Sequence, residues 1–194
     1  MAKITSAKDL IMLFLYARGR MGRLREPIRG RTRLMKMVFL FDKEVRREFN
    51  LGRVIPDEAL PDFAPYDFGP FSDQVFSDLE FLVELGFVRV KPVGDALPEE
   101  ELEYSYWQAG STPADETCGF DSEEEFSLTK LGAGFVEQEL IGSLTQEQVD
   151  VLGEFKARCT ASSLRALLRY VYERYPSMTT QSKIRDEILS TRES

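Results

Sequence analysis

Between Ser72 and Val90 the sequence passes from helical to strand periodicity across one glycine, and that junction constrains the frame more than any other feature. Ser72 is placed to cap a helix whose apolar positions are Val75, Phe76, Leu79, Leu82 and Val83, the spacing of one face turned to a core. Gly86 supplies the stop, and Phe87-Val88-Arg89-Val90 then alternates as a half-buried strand does.

The flanking sequence extends the pattern. A first helix is expected over about Ala7 to Ala17, capped by Ser6, with Leu10, Leu13, Phe14 and Ala17 inward and Gly19 ending it. Thr32 reads as the cap of a second helix reaching about Phe49, with Leu34, Met37, Val38, Phe41 and Val45 on one side. Residues 50–71, with four prolines, read as a long ordered loop with an extended piece at Phe63–Tyr66. Tyr104, Tyr106, Trp107 and Phe126-Ser127-Leu128 mark the strands of a long hairpin. Thr129 caps a fourth helix to about Ile141, and Thr145 and Ser162 or Ser163 open two more, the second carrying Leu164, Leu167, Leu168, Val171 and Tyr172. Pro176 ends that one, and a final helix covers Ile184 to Leu189. Three helices, a strand, a hairpin, a strand and a helix are the order of a winged-helix domain. The expected fold class is therefore α+β, mainly helical, with a winged-helix-like core and a C-terminal helical extension. Residues 1–141 form the first part, with a hairpin insertion at about 92–127, and 142–194 the second.

At 194 residues folding removes about 70% of the chain's surface from water, enough for a core without staples. Cys118 and Cys159 stand far apart and read as two reduced thiols, neither a disulfide framework nor a zinc cluster. There is no histidine, which excludes Ser-His-Asp and Cys-His relays and His-ligated metals. The carboxylates of Asp62, Asp67, Asp73 and Glu123–Glu125 show no spacing tied to acid–base work, and phosphate-loop and metal motifs are missing. The expectation is a non-catalytic protein with no cofactor and no metal. Leu10 to Ala17 is too short to span a membrane and has no cleavage pattern, so a cytoplasmic location without a membrane partner is expected.

Charge is divided along the chain. Residues 1–50 hold thirteen Lys/Arg against five Asp/Glu, a net of +8, which leaves −16 for the rest of a chain of −8. Arg18, Arg20, Arg23, Arg25, Arg29, Arg31, Arg33 and Lys36 form a basic arm interrupted only by Glu26. From Pro92 to Thr129 there are eleven acidic residues and no basic one. Asymmetry of this kind marks charged binding surfaces, with a solvated acidic loop as the plain alternative for the hairpin.

Two stretches resemble a known group. Arg31-Thr32-Arg33-Leu34-Met35-Lys36-Met37-Val38-Phe39-Leu40 is similar to the "K-LQKLLYF" helix of the Panacea domain of SocA-like antitoxins and of the YwgA-like proteins. Phe63-Ala64-Pro65-Tyr66-Asp67-Phe68-Gly69-Pro70-Phe71-Ser72 with its helix resembles their "F-x-PY-x-YGP-x-S" turn, and Leu128-Thr129 with Gly132 their "LT--G" helix entry. The resemblance covers roughly residues 28–136 and implies a regulator, antitoxin or adaptor. The long acidic hairpin and the C-terminal helices depart from it.

Two readings follow, the first preferred and the second its alternative. In the first, a flexible basic arm (Arg18, Arg20, Arg23, Arg25, Arg29, Arg31, Arg33 and Lys36) neutralises the phosphates of duplex DNA or another nucleic acid, as in a transcription regulator. The helix after Ser72 argues against major-groove reading, because Asp73, Asp78, Glu80 and Glu84 are expected on its exposed side. In the second, the chain is an antitoxin or adaptor whose partner is a protein such as a toxin. It would be met at Tyr66, Phe68, Gly69, Pro70, Phe71 and Ser72, where rings stand beside a helix N-terminus. A plain turn with Phe68 and Phe71 packed inward is the competing account of that stretch. The C-terminal helices offer a surface for a homodimer.

Overall fold

The computed structural model describes residues 4–93 and 123–190. Most of the acidic hairpin, with its expected tip, Tyr104, Tyr106, Trp107 and Cys118, lies outside them.

The backbone N–H groups of Thr5 and Ser6 donate to the Asp9 carboxylate (2.8 and 3.1 Å) and open helix α1, Ala7–Tyr16. Residues 10–15 of α1 are all buried, so this is a helix surrounded by core rather than one resting on it. A two-residue strand, β1 (Ile28–Arg29), leads into α2, Arg31–Leu40. The N-cap of α2 is Gly30 at φ +84°, not Thr32; the glycine tolerates the backbone reversal that joins strand to helix. The helix continues through a π turn, Phe41–Val45, and a last α turn, Arg46–Glu48.

The long loop then yields a tight hairpin, β2 (Ala64–Tyr66) with β3 (Gly69–Phe71), in register Tyr66 to Gly69. Helix α3, Asp73–Glu84, follows. Ser72 stands at its N-cap in extended conformation, yet its side chain makes no capping hydrogen bond. Strand β4, Val88–Val93, pairs with β5, Glu123–Leu128, in antiparallel register Val90 to Phe126, and β1 adds to the other edge of β5. The sheet order β1-β5-β4 against α1, α2 and α3 is that of a winged-helix core.

Thr129 accepts from the Gly132 N–H (3.1 Å) and starts α4, Lys130–Phe135, which runs on through a second π turn, Val136–Leu140. A Cβ on Gly132 would collide with the Phe87 carbonyl oxygen, so the glycine lets α4 approach the end of α3. Thr145 and Ser163 cap α5, Gln146–Ala161, and α6, Leu164–Arg174, and α7, Arg185–Leu189, closes the chain. The C-terminal helices share one core with the rest: Phe155 of α5 meets the Phe14 ring at 5.5 Å, and Phe14 meets Phe41 edge-on at 5.4 Å. Phe41, Leu79 and Leu82 are fully buried, whereas Phe76 and Leu128 are half-buried at its margin. No helix among the described residues is long and apolar enough to cross a membrane.

Candidate functional site

The basic arm does not act as one face. Its first half, residues 16–26, is a closed loop rather than the flexible arm expected. The Arg25 N–H donates to the Tyr16 carbonyl (2.9 Å), the Gly19 N–H to the Arg23 carbonyl (3.1 Å), and the Glu26 carboxylate accepts from the Met21 and Arg23 N–H groups (3.1 and 2.8 Å). Under the loop, the buried Lys156 ammonium donates to three carbonyls, those of Leu15, Ala17 and Glu26 (3.2, 2.9 and 2.5 Å). Burial pushes Lys156 down to about 7, opposed by the charge of Glu26. Arg25 itself sits at φ +61°, a left-handed conformation uncommon for a residue with a side chain. The loop presents Arg18, Arg20, Arg23 and Arg25 to solvent, and none forms an ion pair among the described residues.

The second half of the arm is paired with carboxylates at the surface or enclosed in the fold. Arg29 pairs with Glu125 (3.2 Å), and Arg31 with Glu124 (2.5 Å) and Glu80 (3.2 Å) while lying over the Phe76 and Phe126 rings. Arg33 is buried and donates from Nη1 to the carbonyls of Cys159 and Ser162, both at 2.6 Å, tying the corner between α5 and α6 to α2. Lys36 is buried too, and its Nζ donates to the Pro70 carbonyl at 2.7 Å. Desolvation pushes Lys36 down to about 7. Of the eight cations expected at phosphate, Arg33 and Lys36 are therefore corrected: both are enclosed as structural cations, because their α2 positions fall on its core face.

The aromatic turn is likewise mostly internal. Gly69, at φ +84°, lies where a Cβ would stand 2.8 Å from the Tyr172 ring, and Pro70 and Ser72 are buried. Phe71 stacks on Tyr66 (4.9 Å) and Phe76 (5.4 Å), Phe68 packs against the core, and Asp67 pairs with Lys183 (2.6 Å). Only Tyr66 of this set is exposed, so the turn is chiefly a packing element. Its contact with α2, through Lys36 and Pro70, joins two of the motifs that carry the resemblance.

Helix α3 holds the position of a recognition helix. Its outer side shows Asp73, Glu80 and Glu84 together with Phe81 (44% exposed) and Leu85 (47%). Asp78 is not among them: it is buried and paired with Lys8 of α1 at 2.7 Å. Because Lys8 at the start of α1 meets the middle of α3, the basic loop leaves the other end of α1, roughly 15 Å along a ten-residue helix. The basic loop and α3 thus belong to different regions of the surface.

The sequence reading missed a cleft between the π turn of α2 and the α5–α6 corner, lined by Glu44, Glu48, Arg158, Tyr170, Arg174 and Tyr175 among others. Tyr170 and Tyr175 donate their hydroxyls to the Glu44 carboxylate at 3.0 and 2.7 Å. Burial, then Glu44 itself, raises both phenols. Cys159 lies beneath, pushed up to about 12 by burial, and is an inert thiol. The one signal that could have found this cleft is the i, i+4 pair Glu44/Glu48 on a helix otherwise read as basic. No family of known proteins, curated sequence or solved structure matches this chain.

Proposed function

We propose that this chain is a non-catalytic protein-binding module, an adaptor or antitoxin-like regulator on a winged-helix frame. The observation that carries this reading is the outer side of α3, where Asp73, Glu84 and the Arg31-paired Glu80 share the exposed surface with Phe81 and Leu85. No cation occurs from Ser72 to Val88, and the neighbouring Lys8 and Arg31 are already paired. A phosphate-lined groove is repelled by such a surface, whereas a basic partner with an apolar anchor is matched by it. The test is a paired substitution, Phe81→Asp with Leu85→Asp, both exposed and so compatible with folding. A protein captured by the wild type should be lost from this variant, and hydrogen exchange in the complex should slow over residues 73–85. Capture that ignores the variant, with protection elsewhere, overturns the reading.

A second reading has its own observation in the four exposed loop arginines, which form no ion pair among the described residues. If Arg18, Arg20, Arg23 and Arg25 meet phosphates, duplex binding should fall with salt at a log–log slope of roughly −3 to −4. Changing Arg20, Arg23 and Arg25 to Ala should bring that slope to about −1. Absence of any shifted duplex at low salt removes this reading.

A further inference from the structure

The cleft beside the π turn carries charge that neither reading uses. It encloses about 750 Å³, a size usual for ligand sites. Its charges stand on two walls, and the one cation on the α2 side, Lys43, is already tied to Asp42 at 2.8 Å. Glu44 and Glu48 stand one turn apart on the extension of α2, and π turns of this kind concentrate at functional sites. Facing them are Arg158 in the last turn of α5 and Arg174 in the last turn of α6. Leu40, Phe155 and Leu167 supply an apolar floor. Both signs line one space, yet no ion pair among the described residues joins the two walls. The Tyr170 and Tyr175 hydroxyls fix the direction of the Glu44 carboxylate without neutralising it. The Arg33 contacts with the Cys159 and Ser162 carbonyls hold the corner beside Arg158.

We propose that this cleft binds a small zwitterion, a free amino acid or a short unblocked peptide with an apolar side chain. Its ammonium meets Glu44 and Glu48, its carboxylate meets Arg158 and Arg174, and its side chain covers the floor. A simple anion would face two carboxylates and a simple cation two guanidiniums. A ligand carrying both signs satisfies both walls at once, and each contact is a charge-assisted hydrogen bond.

The test is calorimetric titration of the whole chain with L-phenylalanine and L-leucyl-L-leucine, against N-acetyl-L-phenylalanine and L-phenylalaninamide. Saturable binding is expected for at least one unblocked compound, and blocking either end of L-phenylalanine should weaken it at least about tenfold. Glu48→Gln and Arg174→Ala alter exposed side chains and should leave the melting temperature in place. Glu48→Gln should weaken L-phenylalanine and its amide but spare the N-acetyl compound; Arg174→Ala should weaken L-phenylalanine and the N-acetyl compound but spare the amide. The proposal is overturned by absence of saturable binding of either unblocked compound at roughly 10 mM. Equal affinity for blocked and unblocked forms, or indifference to both substitutions, overturns it as well. None of these outcomes depends on α3, so the protein-partner reading stands or falls separately.

Discussion

Replacing Lys36 by Met should change how stability responds to pH. The side chain is fully enclosed, donates to the Pro70 carbonyl at 2.7 Å, and is pushed down to about 7 from an unfolded value of 10.5. Between those values the unfolded chain holds a proton that the folded chain has released, so stability rises with pH across that window. Working the linkage from pH 7 to pH 8.5 gives a gain of about 1.5 kcal/mol from this one group. Lys156, pushed down similarly, adds a gain of the same sign. The Cys159 thiol acts oppositely: its folded value of about 12 lies above the unfolded 9.0, so it costs stability as pH rises past 9, and the window stops short of that. Urea denaturation at fixed ionic strength should therefore show the wild type gaining stability from pH 7 to 8.5. Lys36→Met should lose about half of that gain, whatever its absolute stability. An identical slope in the two proteins would show that Lys36 does not release its proton in this range, and the enclosure argument would fail.

Leu79→Ala, at a fully buried position, should cost about 2–5 kcal/mol in a melting or denaturation experiment; an unchanged transition would place the residue outside the core. Gly132→Ala forces a Cβ onto the Phe87 carbonyl and should cost about 1–3 kcal/mol by the same measurement. Lys156→Met removes the ammonium shared by three carbonyls. Amide exchange at Arg25 should accelerate with a loss of about 1–3 kcal/mol, and unchanged protection there would mean that the loop holds itself closed.

Local chemistry wrote most of the frame into the sequence. The helix-glycine-strand junction at residues 72–90, the threonine caps at 129 and 145 and the serine cap at 163 each act within a few residues, so spacing alone exposes them. Strand β1 escaped because two residues carry no period, and Ile28–Arg29 pairs with Phe126 and Glu125 nearly a hundred positions away. The π turn escaped because its i, i+5 bonding follows from packing, not from any residue preference.

The fate of the cations was the least legible part, since a charge count says nothing of direction. Arg31, Arg33 and Lys36 read as a continuation of the arm, yet a helix turns its side chains through about 100° per residue. Starting α2 at Arg31 leaves Arg31 at the rim with Glu124 and Glu80, and sends Arg33 and Lys36, three positions apart, to the core side. There each finds backbone carbonyls: Arg33 at the end of α5, Lys36 at the hairpin turn. A buried cation needs such acceptors, and an exposed one does not, so the carbonyl partners explain why long cationic chains stand there. That sorting also weighs on function. A surface built for phosphate would keep its cations in front; here four of the eight are paired with carboxylates or enclosed against backbone, and the helix best placed to enter a groove is acidic. Both facts follow from the register of α2 and the composition of α3, which are independent of one another, and the proposed protein partner rests on them together.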